Sequence, residues 1–276
     1  MVESRLRRSL RIAAAVAVTV VFGLLLVFLV TGSLRNPGLP PPRTPELLPR
    51  PLSWGNYERA IELVDLDRAV LNSLIVAVVF VPVSVLVASW AAFAATLLGP
   101  GARGVLVAAS VFALMVPVTA MLVPRFALFR WLGLIDSFGP LLAPALLGAS
   151  PFYVLVYLAA FRRLPVDFYD ACRLEGLTPF RMWRTVAMPL VRPVTVAVAA
   201  LAFVFSWGSF LEPLVYVYDR DLFTVPLALK SLALLDRTNY PLLLAGAVIA
   251  TAPVVAVFLL AQRYFLHERG AGWLGR

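Results

Sequence analysis

Lysine, histidine and cysteine are almost missing from this chain: Lys230, His267 and Cys172 are the single members of their types. One cysteine excludes a disulfide framework within the chain and any CxxC metal or redox site. The sole lysine follows no glycine loop, which excludes a Walker-type GxxxxGK and with it ATP hydrolysis of that kind by this chain. Charge is scarce inside the long apolar runs, where Arg125 and Glu212 sit only near the outer ends. Ion-coupled pumps keep ionisable groups in mid-membrane despite the cost, because their relays need them. That scarcity, together with the lack of an evident inverted repeat, argues against secondary active transport. An intramembrane serine hydrolase would want a base near its serine, and His267 lies at a membrane boundary. If the chain moves something, the energy comes from a partner.

What the sequence has in excess is apolar surface. It is 61% hydrophobic and 14% charged over 276 residues, against about half and a quarter in soluble domains. Apolar runs of bilayer-spanning length recur, each close to the roughly 20 residues that a core of about 30 Å requires. The fold class read from them is an all-α polytopic membrane protein with six spans, at 12–31, 70–98, 104–129, 139–161, 194–216 and 241–265. The first run, preceded by Arg5, Arg7, Arg8 and Arg11, is longer than a signal-peptide core and lacks a cleavage pattern after it, so it reads as a retained span. Organisation follows: 1–69 as an N-terminal cytoplasmic segment, first span and outer loop, 70–265 as a five-span core, and 266–276 as a short tail. Pro37, Pro40, Pro41, Pro42, Pro45, Pro49 and Pro51 predict an irregular start to the outer loop, followed by a short surface helix from Trp54, with Trp54 and Tyr57 as interfacial anchors. Breaks are predicted at Pro117 and Pro124 in the third span and at Ser150-Pro151 in the fourth. An interfacial piece is predicted around 222–235. The hydroxyls of Ser84, Ser89, Ser110, Ser150, Ser206 and Thr251 read mainly as helix-packing groups.

Six spans put both termini on one side. Assigning the N-terminus, 99–103, 162–193 and the end from Arg263 to the cytoplasm places there only five acids, Glu3, Asp167, Asp170, Glu175 and Glu268. The whole +9 excess of the chain then falls on that face, with the sign of the positive-inside rule. A net basic charge of this kind sets topology and does not by itself call for nucleic acid.

The segment 162–193 is the only long polar interruption that is both basic and helical in pattern. Pro165 suits a first helical turn, and Asp167 and Asp170 near that N-terminus complement the helix dipole. Asp167, Asp170 and Arg173/Leu174 share one exposed face. Gly176 is placed to stop the helix in a left-handed conformation, and Thr178-Pro179 reads as the N-cap and first position of a second helix. There Phe180, Trp183 and Val186/Ala187 form an apolar stripe opposite Arg181 and Arg184, and Pro189 and Pro193 break the chain before the next span. On pattern alone this is an amphipathic hairpin on a membrane surface.

The spacing is more specific than the pattern. Asp170-Ala171-Cys172, three residues, Gly176, nine residues and Val186-x-Met188-Pro189 resembles the EAA motif of ABC-importer permease subunits. That motif runs Glu-Ala-Ala, three residues, Gly, nine residues, Ile-x-Leu-Pro. Leu71-Asn72-Ser73-Leu74, Met115-Val116-Pro117, Val123-Pro124, Leu132-Gly133-Leu134-Ile135, Phe203, Trp207 and Gln262-Arg263-Tyr264-Phe265 before Gly270-Ala271-Gly272 extend the resemblance to the carbohydrate-uptake, maltose-type branch. Gly208 and Ser209 depart from it, since the branch commonly has Asn and an acid there.

The resemblance implies a type I ABC importer permease fold and a non-enzymatic transport subunit in a bacterial or archaeal cytoplasmic membrane. It implies that 162–193 docks on a cytoplasmic ATPase, with Asp170, Ala171 and Cys172 at the contact, Gly176 as hinge, Phe180 and Trp183 as anchors and Pro189 closing the motif. The implied partners are a second homologous permease, two ABC ATPase subunits that carry ATP and Mg, an extracytoplasmic solute-binding protein, the lipid bilayer and a sugar. No cofactor or metal is expected in this chain. Asn72, Ser206, Trp207, Ser209 and Glu212 are the candidates for the substrate pathway, because sugars favour aromatic faces and hydrogen-bonding side chains in a concave site. Each is also readable as a cap, a packing group or a boundary residue. Two other functions fit the pattern: a membrane scaffold or sensor gripping a partner through the basic loop, and an ion-coupled transporter.

Overall fold

The computed structural model describes residues 2–38, 40, 49–146, 151–236 and 238–267. Among them all regular structure is helical. The predicted break at Ser150, the prolines at 41, 42 and 45, and the tail containing Gly270, Ala271 and Gly272 lie outside the described residues.

The first apolar run forms α1 (Val2–Ser33), whose most apolar window is left uncovered by the rest of the chain, while Ser33 at its end is buried. After the proline-rich segment, α2 (Gly55–Val64) begins one residue past Trp54 and ends at Asp65 in a left-handed turn. The second span is α3 (Leu66–Leu97), about 48 Å long at 1.5 Å per residue and so longer than a bilayer core. Gly99 and Pro100 then start α4 (Pro100–Met115), proline occupying a first turn that needs no N–H.

The third span does not run straight. Val116, the residue before Pro117, is extended at φ −75° and ψ 117°, in line with the proline ring disfavouring the helical region for its predecessor. The chain bends by 87° into a 3₁₀ turn (Val118–Met121) and α5 (Leu122–Trp131). Pro124, the other predicted breaker, sits in the first turn of α5 and breaks nothing. The fourth span consists of α6 (Gly139–Leu146) and α7 (Pro151–Phe161).

The polar segment holds α8 (Val166–Leu174), α9 (Pro179–Arg181) and α10 (Met188–Leu190), the last two joined by π-helical turns over Met182–Ala187. The break expected from Pro189 and Pro193 falls between them, at Val191, where the chain bends by 86° into α11 (Arg192–Gly208). The fifth span is another correction. It was expected as one run over 194–216, but α11 stops at Gly208 and α12 (Leu211–Tyr216) follows an extended Ser209 at ψ 121°. The cause is Pro213, whose ring in a continuous helix would collide with the carbonyl of Ser209. A 3₁₀ turn (Arg220–Leu222) and the apolar α13 (Val225–Leu235), too short to span, cover the region predicted as interfacial, and α14 (Tyr240–His267) closes the order. Among the described residues four helical stretches are long and apolar enough to cross a bilayer, and two bent pairs raise the number to as many as six.

The chain divides into two compact units. The first, Met1–Asp67 with Ala228–Ala252, has a small core of Ala60, Leu232, Leu242 and Ala245. A Cβ at Gly246 would stand 2.8 Å from Leu229 Cδ2, so glycine there lets α13 and α14 pack closely. The second unit, Arg68–Leu227 with Pro253–Arg276, holds the larger core, including Phe80, Phe93, Tyr157, Phe161, Met182 and Val198. The polar segment and the candidate pathway residues belong to this second unit.

Candidate functional site

The helix α8 ends in a Schellman arrangement. Gly176 takes φ +70°, its N–H donates to the Arg173 carbonyl at 3.0 Å, and the Leu177 N–H donates to the Cys172 carbonyl at 3.1 Å. Those two bonds satisfy carbonyls that a helix end leaves open. Cys172 is buried and Leu177 half-buried in the same core cluster, which sets the direction in which the chain leaves the helix. The opposite face carries Asp167, Asp170, Ala171, Arg173 and Leu174, all exposed. Arg173 donates to Asp170 Oδ1 at 3.0 Å, a solvent-exposed pair worth about 0–1 kcal/mol. Leu174, 90% exposed, is a large apolar point on this charged surface.

Beyond the turn, the Thr178 hydroxyl accepts from the Arg181 N–H at 3.4 Å and Pro179 holds the first helical position. The π-helical turns bury Met182, Trp183 and Ala187 and leave Arg181 and Arg184 exposed. Trp90 of α3 meets both anchors of this helix: its ring centroid lies 5.2 Å from Trp183 and 5.3 Å from Phe180, with 5.8 Å between those two. Three residues further along α3, Phe93 packs on Phe161 at 5.7 Å and Tyr169 at 6.3 Å. The Tyr169 hydroxyl donates to the Phe161 carbonyl at 2.9 Å, and burial raises its pKa, so the donor stays protonated. Both helices of the segment are therefore rooted on the last turns of α3 and α7. Pro189 is exposed within α10.

A second site lies at the break between α11 and α12. Ser73, Ser206, Ser209, Glu212 and Thr224 line a cavity whose other wall is apolar and includes Phe80 and Phe205. It has room for about one water molecule. Glu212 is buried. It accepts from the Ser209 hydroxyl at 2.8 Å and lies 3.7 Å from Nη1 of Arg125 on α5. Asn72 is not at this cavity: its amide donates to the carbonyls of Asp221 and Phe223 at 2.8 and 3.0 Å and fastens that loop to the start of α3. Ser73 does the same through its hydroxyl, which accepts from the Val225 N–H at 2.9 Å. Trp207 is buried against Phe203 at 5.4 Å and does not line the cavity. Among the described residues no three His, Cys, Asp or Glu side chains gather to hold a metal ion.

Asp170, Ala171 and Gly176 thus stand on or beside one outward face, while Cys172, Phe180 and Trp183 form the joint behind it. Ser206, Ser209 and Glu212 come together, and Asn72 and Trp207 serve neighbouring packing. Trp90, Phe93 and Thr224 escaped sequence reading, and Ser73 entered it only within the Leu71-Asn72-Ser73-Leu74 resemblance. A tryptophan inside an otherwise aliphatic and alanine-rich run was the available signal for Trp90, whereas Thr224 carries no local signal.

The profile of the family described as binding-protein-dependent transport system inner membrane component matches residues 84–268. The arabinooligosaccharides transport system permease protein AraQ of Halalkalibacterium halodurans is 31% identical over 195 residues, covering 71% of this chain and 69% of its own. The trehalose transport system permease protein SugB of Mycobacterium tuberculosis is 31% identical over 222 residues, covering 79% and 80%. Among solved structures, a bacterial ABC transporter involved in the import of the acidic polysaccharide alginate superposes with a TM-score of 0.74, over 94% of this chain and 97% of that one at 21% identity.

Proposed function

Because this chain belongs to the family of inner membrane components of binding-protein-dependent transport systems, we propose that it is the permease subunit of an ATP-driven importer that passes a sugar or related polyol into the cytoplasm by alternating access. The observation that carries the reading is the build of the segment 162–193. A capped helix turns an exposed charged face outward with Leu174 at its end, and behind that face lies a set of packed aromatic rings on α3 and α7. Such a joint transmits force, since packed rings move together while an exposed charged face is free to be gripped. ATP and Mg belong to two ATPase subunits that seat this face, with Asp170, Ala171 and Arg173 at the contact and Leu174 as its apolar point.

Both termini and the segment face the cytoplasm in this reading, in keeping with the placement of basic residues. A second, homologous permease completes the pathway, and a solute-binding protein delivers to the opposite side. A sugar as cargo is supported by relatives named for arabinooligosaccharides and trehalose and by the hydroxyl-lined cavity beside stacked phenylalanines. A cavity the size of one water is far below the roughly 300–1,000 Å³ of a ligand site, so it corresponds to a closed form.

Purification of the tagged chain from its own operon tests the reading. An ATPase subunit is expected to come down with it, and the ATPase activity of that complex is expected to rise several-fold when the loaded binding protein is added. Recovery of the chain alone, or an ATPase rate indifferent to the binding protein, would refute an importer and favour a scaffold or sensor.

A further inference from the structure

The cavity at the break between α11 and α12 presents charge of one sign only. Glu212 lines it, whereas its partner Arg125 does not, so the cavity meets the carboxylate end of the pair. Thr224, 5% exposed, has its hydroxyl at this cavity with no hydrogen-bond partner among the described residues, and the Ser206 hydroxyl is in the same condition. A buried hydroxyl left unpaired is unfavourable and marks a place where a ligand or water completes the bonding. The Ser209 hydroxyl, held on Glu212 Oε2 at 2.8 Å, adds a third polar group. Phe80 and Phe205, which also line the cavity, stack at 5.9 Å. Hydroxyls, a carboxylate acceptor and an aromatic wall converge with no cation lining the cavity.

We infer that this cavity selects an uncharged polyhydroxylated ligand and turns anionic ones away, with Glu212 as the specificity-determining residue. The inference rests on the transport reading above and narrows its substrate class. Ligand hydroxyls donate to the Glu212 carboxylate and pair with Thr224 and Ser206, while ring carbons lie on Phe80 and Phe205. A phosphate or uronate brought within about 5 Å of the carboxylate meets a repulsion that, at an effective dielectric of about 20, exceeds a hundredfold in binding, and Arg125 on the far side offsets only part of it. The ligand enters when the α3 and α12 walls part, since the closed cavity admits only about one water.

The test uses the intact complex with its ATPase and companion permease, without the binding protein, so that selectivity is read at the permease. Melting temperature is followed against increasing trehalose and lactose as neutral probes and sn-glycerol 3-phosphate and glucuronate as anionic ones. At least one neutral probe is expected to raise the melting temperature, with the anionic probes at least about tenfold weaker. In Glu212→Gln the gap is expected to shrink to about threefold or less. Thr224→Val weakens the neutral probe several-fold without admitting the anions, which keeps the assignment testable if the Glu212 variant does not assemble. Anionic probes binding the native complex as well as neutral ones, an unchanged gap in Glu212→Gln, or no stabilisation by any of the four probes overturns the inference. None of those results touches the co-purification that decides the transport reading.

Discussion

At Gly176 a side chain acts through the backbone alone, because an added Cβ meets no atom within 4 Å while φ stands at +70°. Alanine in that region costs about 1–2 kcal/mol, whereas asparagine tolerates it better. Gly176→Pro cannot adopt the angle and also loses the N–H that donates to Arg173. In the reconstituted transporter the expected order of uptake per ATP hydrolysed is Gly, then Asn, then Ala, then Pro, with the complex still assembled. Equal losses in Asn and Ala would mean that bulk matters there and the hinge angle does not. Asp136 offers a different residue-level test. It is itself left-handed at φ +61°, and its carboxylate accepts from the N–H groups of Asp219 at 2.8 Å and Tyr218 at 2.9 Å. Those bonds, Asp219 first, hold its pKa below the ordinary 3.8. A lowered pKa in the folded state means that the stabilisation is fully present above pH 3.8 and is lost as pH falls through the lower value. Hydrogen-exchange protection of the Tyr218 and Asp219 amides, corrected for intrinsic rates, is thus expected to hold from pH 8 to 5 and to fall below about pH 4. Asp136→Asn keeps an acceptor oxygen and is expected to remove that pH dependence.

The joint between α3 and the segment 179–190 is where element packing decides the outcome. Trp90 contributes two ring contacts, each worth about 0.5–1.5 kcal/mol beyond its buried area. Trp90→Ala is therefore expected to loosen residues 179–190 by about 1–3 kcal/mol, read as faster amide exchange there. Uptake should fall several-fold while ATPase subunits still co-purify, and Trp90→Phe should restore most of it. Exchange rates unchanged in the alanine variant would show that Phe180 and Trp183 are held by something other than Trp90. This joint also marks the limit of what the sequence shows. The apolar runs, the Gly176 stop and the Thr178-Pro179 start were legible because each is a local signal, a run length or a residue with one conformational use. Trp90 and Phe93 were not, because their partners lie some 70–90 positions away and no spacing rule links them. The break at Ser209 was hidden for a different reason: Pro213 acts four residues upstream, inside a run that hydropathy reads as continuous. Asn72 reads as a pathway candidate for its hydrogen-bonding side chain or as a helix cap, and only the fold brings the carbonyls of Asp221 and Phe223 to it. The π-helical turns at Met182–Ala187 have no compositional marker at all.

Taken over the whole molecule, one helix belongs to both sites. Near its start α3 fastens the loop at 221–225 through Asn72 and Ser73 and walls the cavity with Val76 and Phe80. Near its end the same helix carries Trp90 and Phe93 against the segment proposed to dock on the ATPase. Asn72 and Trp90 are ~27 Å apart along the axis at 1.5 Å per residue, close to the thickness of a bilayer core. A push at the Trp90 end reaches the cavity wall without passing through a loop, since the helix runs unbroken over Leu66–Leu97 with only Pro82 inside it. Sites that far apart with no shared partner normally contribute independently, to within about 0.3–0.5 kcal/mol. If α3 carries the motion from one end to the other, Asn72→Ala and Trp90→Ala interrupt the same transmission and their effects on uptake do not multiply. The double variant is then expected to transport no more than about twofold slower than the worse single variant, although each alone slows uptake several-fold. Initial uptake rates in proteoliposomes, normalised to assembled complex, measure all four corners of that cycle. Fold losses that multiply in the double variant would mean that the two ends act separately, and that α3 is a wall of the pathway with no part in driving it.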